Sequence, residues 1–223
     1  MEEHKELWLK IIRVHEITKA RIIEAEEMGV NSWLGPLNEL KNAYEHIIRS
    51  QSAALGFQEG KGEDYVRTNL EKALGHEYRA YFDAADWLTI NIREKIINEL
   101  KPYSSASIRA AIPDYYSQLR PQINEITDKI AALRQGKDIG NGNGILPNVE
   151  DYEKLLITLT DIYKHIIKRL DCIIECENSE RSWRGAFTRP GPIVAALIGI
   201  VATLIITKGI SFIQFVKSVF ANG

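Results

Sequence analysis

The chain is poor in cysteine and methionine, with two of each in 223 residues. Cys172 and Cys176 sit four apart in a helical pattern, so a secreted disulfide scaffold is excluded and a reducing compartment is the natural setting. An excess of either charge is also missing: 28 Lys and Arg stand against 30 Asp and Glu. A general nucleic-acid binder would be strongly basic, so the sequence carries no strong nucleic-acid signal. No stretch alternates apolar and polar residues with a period of two over a useful length, which argues against strands. The opening MEEHKELWLK has no apolar core of signal-peptide type, and the expectation is a body that folds where it is made. Cofactor motifs are missing as well. The glycines of 136–144 lack the Gly-Lys-Ser/Thr ending of a phosphate loop and follow no strand. They read as a hinge, and no cofactor is expected.

What is present is helical periodicity. A hydrophobic fraction of 45% and a charged fraction of 26% are those of an ordinary globular protein. Apolar residues at steps of three and four predict helices over 2–28, 32–55, 64–100, 106–111, 114–135 and 149–177. Gly29 closes the first, Pro102 ends the third, and Pro121 kinks or restarts the fifth. The inward faces are expected to include Ile12 and Ile23 on the first helix, Leu37, Tyr44 and Ile48 on the second, and Leu70, Tyr81, Phe82, Trp87, Leu88 and Ile97 on the third. Residues 1–180 therefore read as a cytosolic, all-α, antiparallel helical bundle.

The run PGPIVAALIGIVATLIIT, Pro190 to Thr207, holds no charged side chain. Its length, about 18 residues, is near the minimum for crossing a bilayer core of roughly 30 Å. The fold expectation is thus a bundle followed by a C-terminal transmembrane helix in 190–223, with 209–221 lengthening the span or lying flat in the interface. Residues 181–189 form a basic-aromatic juxtamembrane linker. In it Arg181, Trp183, Arg184, Phe187 and Arg189 mark the membrane interface, with Lys208 on the far side. Within the run Gly191, Ala195, Gly199, Thr203 and Thr207 recur every four residues. Small residues at that spacing let helix backbones approach closely, so they are the candidate oligomerisation residues.

The phrase Leu-x-x-Φ-x-x-His (Φ being Ala or Ile) occurs four times, ending at His15, His46, His76 and His165. The last three have a cation three residues on, at Arg49, Arg79 and Lys168. Around His76 the cluster is richest. Arg79 and Asp83 are spaced as an i,i+4 ion pair, and Asp86 and Trp87 follow. Converging His76, Arg79 and Asp83 side chains suit acid-base work or a grip on phosphate, so they are the catalytic candidates. The same residues equally suit a hydrogen-bonded polar layer that fixes helix register. His165, Cys172 and Cys176 share a face, but the paired CxxC spacing of a zinc site is missing and no metal is expected.

The segment LEKALGHEYRAYFDAADW, Leu70 to Trp87, in an all-α setting resembles the HEPN class of helical bundles across residues 37–174. That resemblance implies a ribonuclease, although the Arg-x(4–6)-His motif of active members is not found at any histidine here. A cytosolic bundle with a terminal span also resembles the small membrane effectors of prokaryotic antiviral defence systems, which implies a bacterial inner-membrane location and self-association. Three functions follow as expectations. The first is a self-associating membrane protein, not an enzyme, that forms pores or disrupts the bilayer. The second is a membrane-tethered HEPN-like enzyme or ligand-responsive domain. The third is a passive scaffold. The expected partners are the lipid bilayer, further copies of the chain and a cytosolic protein.

Overall fold

The computed structural model describes residues 4–29, 34–135, 145–188, 191, 195, 199 and 203; of 135, 145 and 184–188 it describes the backbone alone. Seven α-helices account for nearly all of them: α1 (Lys5–Glu27), α2 (Leu34–Ala54), α3 (Glu63–Leu100), α4 (Ser105–Ala111), α5 (Arg120–Gln135), α6 (Ile145–Lys168) and α7 (Leu170–Thr188). A π-helical turn, Tyr115–Leu119, leads into α5. The all-α expectation holds, and the described residues contain no strand.

The 38-residue α3 organises the rest. At 1.5 Å per residue it is about 57 Å long. Glu63 and Asp64 in its first turn complement the positive end of the helix dipole. It ends at the turn containing Pro102. Side-chain links give the direction of its neighbours. His15 of α1 meets Glu77, and Arg21 of α1 meets Glu153 beside Tyr81, so α1 runs parallel to α3. In α2, Glu39 meets His76, His46 meets Asn69 and Ser50 meets the Val66 carbonyl, so α2 runs antiparallel. In α6, Val149 and Tyr152 align with Tyr81 and Asp86, again parallel to α3. Both α1 and α2 make their extensive contacts with α3. Gly29 and Gly56, both at positive φ, make the corners after α1 and α2 that other residues would adopt only under strain.

Enclosure makes the middle of α3 buried almost all round. Ala80, Ala84 and Ala85 are fully buried, and the absence of bulk there admits the neighbouring helices. Tyr81, Phe82 and Tyr152 form an edge-to-face set with ring centroids 5.1, 5.2 and 5.9 Å apart. Leu70, Leu74, Leu88, Ile92, Leu156 and Leu159 complete the core around them.

The structure departs from the sequence expectation at several points. Trp87 and Ile97, expected inward, are 47% and 62% exposed. Both lie beyond Asp83, which already sits at the start of α2 beside Gly35, so the last third of α3 loses that cover. Ile12, Ile23, Leu37, Tyr44 and Ile48 are exposed too, while Val14 and Thr18 are buried. Helix α6 starts at Ile145, with Pro147 in its first turn where no backbone donor is needed, and not at 149. The single helix expected over 149–177 is broken at Arg169 into α6 and α7. No proline or glycine signals the break. Tertiary bonds hold α7 in place: Glu177 accepts from the Ser104 backbone N–H at 2.8 Å, and Glu180 accepts from the Ser104 and Ser107 hydroxyls. The bond from the Ser104 amide, followed by Ser107, pulls the Glu177 carboxyl down to about 2. The stretch 181–188, expected as a linker, is the final part of α7.

Burial and exposure along α3 have opposite mutational consequences. Leu88→Ala should cost about 2–5 kcal/mol of unfolding free energy. Ile97→Ala should stay within about 0.5 kcal/mol. Chemical denaturation of the two variants checks this contrast.

Candidate functional site

His76 and Arg79 stand one turn apart on the face of α3 that meets α2. A third residue joins them from α2: Glu39 Oε2 lies 2.7 Å from His76 Nδ1 and accepts from Arg79 Nε at 2.8 Å. Arg79 Nη2 lies 2.6 Å from the same His76 Nδ1. One ring nitrogen cannot donate to a carboxylate and accept from a guanidinium at once. The proton on Nδ1 therefore decides whether the imidazole bonds across to α2 or back along α3. Behind it the His46 ring stacks on His76 with centroids 5.3 Å apart and planes at 19°. His46 Nδ1 in turn meets Asn69 Oδ1 at 2.9 Å, and the Asn69 amide donates to the Tyr65 carbonyl.

Charge is balanced within this cluster. Burial alone would raise the Glu39 carboxyl, but the hydrogen bonds from His76 and Arg79 outweigh it and hold the group below the ordinary glutamate value of 4.5. Glu39 takes up the Arg79 cation, which leaves less of it for a phosphate. The arrangement acts as a polar clamp between α2 and α3 that fixes their register.

Asp83, the third catalytic candidate, lies one turn beyond Arg79 on α3. Asp83 lies against the first turn of α2, where a Cβ on Gly35 would come within 3.2 Å of its Oδ2. Glycine there leaves room for a carboxylate at the positive end of that helix. Asp86 belongs to a different group again. It accepts from Arg134 Nε of α5 at 2.7 Å and from the Tyr152 hydroxyl of α6 at 2.6 Å. Burial, then Asp86, pushes the Tyr152 phenol well above its ordinary range. Ten residues along a helix turn the side chain about 80° away from His76, and this places the two acids on different neighbours.

The histidine repeat thus marks a common situation more than a common chemistry. His15, His46 and His76 each reach a polar partner on an adjoining helix or strip, whereas His165 is exposed. Arg49, expected beside His46, pairs with Glu45. Cys172 and Cys176 are half-buried free thiols, and no group of three His, Cys, Asp or Glu among the described residues could hold a metal ion. The sequence reading missed Glu39 and Glu77 as partners. Their sequence separations of 37 from His76 and 62 from His15 carry no local signal.

At the other end, Trp183 is exposed and Arg181 pairs with Glu177 at 3.2 Å, which takes up part of its cationic character. The side chains of Arg184, Phe187 and Arg189, and all of Thr207 and Lys208, lie outside the described residues. Ala195, Gly199 and Thr203 are helical and exposed, with the Ala195 amide bonded to the Gly191 carbonyl at 3.2 Å. No helix among the described residues is long and apolar enough to cross a membrane. Most of 190–207, on which the expected span rests, lies outside them.

A scan against family models finds no match, and searches of curated proteins and of solved structures find no significant match either. The resemblances drawn from sequence gain no support from these comparisons.

Replacing Glu39 with Gln should weaken the α2–α3 clamp by about 1 kcal/mol, modest because Arg79 is partly solvated. The sign with pH follows from the lowered folded value. The stabilisation is complete above 4.5 and is lost as pH falls through the depressed value. Unfolding curves of wild type and Glu39→Gln should therefore differ at neutral pH and converge in acid.

Proposed function

We propose that this chain is a membrane-anchored helical bundle whose copies associate through their apolar tails and disturb the bilayer, in the manner of a defence effector. The bundle presents the tail and gathers copies; the tail acts on lipid. The observation that carries the reading is the uncharged run 190–207 with its four-residue row of small side chains. Two structural facts support it. A Cβ built on Gly191 or Gly199 meets nothing within 4 Å among the described residues, so no described side chain covers these two positions. The Thr203 hydroxyl donates to the Gly199 carbonyl at 2.7 Å, which satisfies it inside its own helix as a lipid environment requires.

The catalytic reading of His76, Arg79 and Asp83 has less to stand on, because Glu39 takes up the Arg79 cation. A passive anchor differs from the proposal in one respect: it tolerates any apolar span.

Full-length chain reconstituted in lipid vesicles should stay with the vesicles at high salt, cross-link beyond the monomer and release a trapped dye. Gly199→Leu should still sediment with the vesicles but leak severalfold less, since bulk at the row keeps helices apart. Recovery of the chain in the aqueous fraction without detergent, or monomers alone on cross-linking, would overturn the reading.

A further inference from the structure

Because α1 and α2 both lean on α3, a channel stays open between them. It forms a cavity of about 340 Å³, within the size range of small-molecule sites. Trp8, Ile11 and Ile12 of α1 make one wall, and Leu40, Tyr44 and Ile47 of α2 make the other. Ile12 and Tyr44 are 49% and 62% exposed, so a ligand there would cover apolar surface that the chain itself leaves open.

The polar groups of the channel are few and convergent. Glu77 rises from α3 and is only 3% exposed. Its Oε1 is 3.0 Å from His15 Nδ1, while its buried Oε2 has no hydrogen-bond partner among the described residues. A half-satisfied carboxylate at this depth is costly, and a donor supplied from outside relieves the cost. Glu16 lines the channel beside His15. Lys19 stands one turn further along α1, near enough to act on His15 but not on the lining. With His15 protonated the lining carries two carboxylates against one cation, and with His15 neutral it carries two against none. Either way the field favours a positive guest. Trp8 and Tyr44 add aromatic surface of the kind that attracts cations. The other polar groups, around Glu39 and around Ser104, are closed by their own partners.

We propose that the channel between α1 and α2 is a binding site for a small organic ammonium ion, its apolar body between Trp8 and Tyr44 and its protonated amine on Glu77. The site belongs to the bundle and does not depend on the membrane reading. An anion of the same shape is repelled by Glu16 and Glu77. A neutral alcohol of the same shape gains the walls but only a weak bond to the carboxylate.

The test is calorimetric titration of the full-length chain with 2-phenylethylamine, 2-phenylethanol and phenylacetate. The amine should bind at least about tenfold more tightly than the alcohol, and phenylacetate should not bind. Glu77→Gln preserves shape and should lower amine affinity at least about tenfold while leaving the alcohol within about twofold. Tyr44→Ala, at an exposed wall position, should weaken both amine and alcohol without loss of helical circular dichroism. Equal binding of the three probes, no amine binding into the millimolar range, or an amine preference that survives in folded Glu77→Gln would each overturn the assignment.

Discussion

A helix enclosed on most sides has little free face on which to keep its polar side chains, and that constraint governs this protein. The middle of α3 carries Asn69, Glu77 and Thr89 into positions at most 5% exposed. An unpaired buried polar group costs about 1–3 kcal/mol, so each has a partner and the partners come from different elements. His15 of α1 meets Glu77, and His46 of α2 meets Asn69. Tyr152 of α6 meets both Asp86 and Thr89, and Arg134 of α5 completes the Asp86 group. Apolar packing brings the helices together, and these polar bonds fix where each one stops sliding along α3.

The same arrangement explains why open surface remains. Helices that dock on a central one need not touch each other, and α1 and α2 leave a channel between them with Glu77 on its lining. The Glu39 clamp ties α2 to α3 and so holds that wall of the channel in place. Reading the His76 cluster as a positioning device and the Glu77 channel as a binding place assigns separate roles to neighbouring residues. One is closed by its own partners; the other keeps Glu77 Oε2 without a hydrogen-bond partner among the described residues.

Much of the fold was legible where local chemistry decides it. Gly29 closed α1, Pro102 ended α3 and Pro121 marked the restart of α5, because each acts on its own backbone. The break at Arg169 was not legible, since it is fixed by Glu177 and Glu180 reaching α4 more than 70 residues away. Period alone also misjudged Trp87 and Ile97. Apolar spacing identifies a stripe, but whether a neighbour covers it changes along a helix as long as α3. At the candidate site, His76 and Arg79 were visible because their spacing is helical. Glu39 and Glu77 were not: one is remote in sequence, and the other turns from its neighbour His76 toward a different helix.

Helix α3 carries α1, α2 and α6 directly, and amide hydrogen exchange of the full-length chain tests that central role most directly. The slowest amides should lie on α3 between Leu70 and Ile92, with α1 and α2 exchanging through smaller openings of their own. Slowest exchange in α6 or α7, with α3 opening as readily as α2, would contradict it.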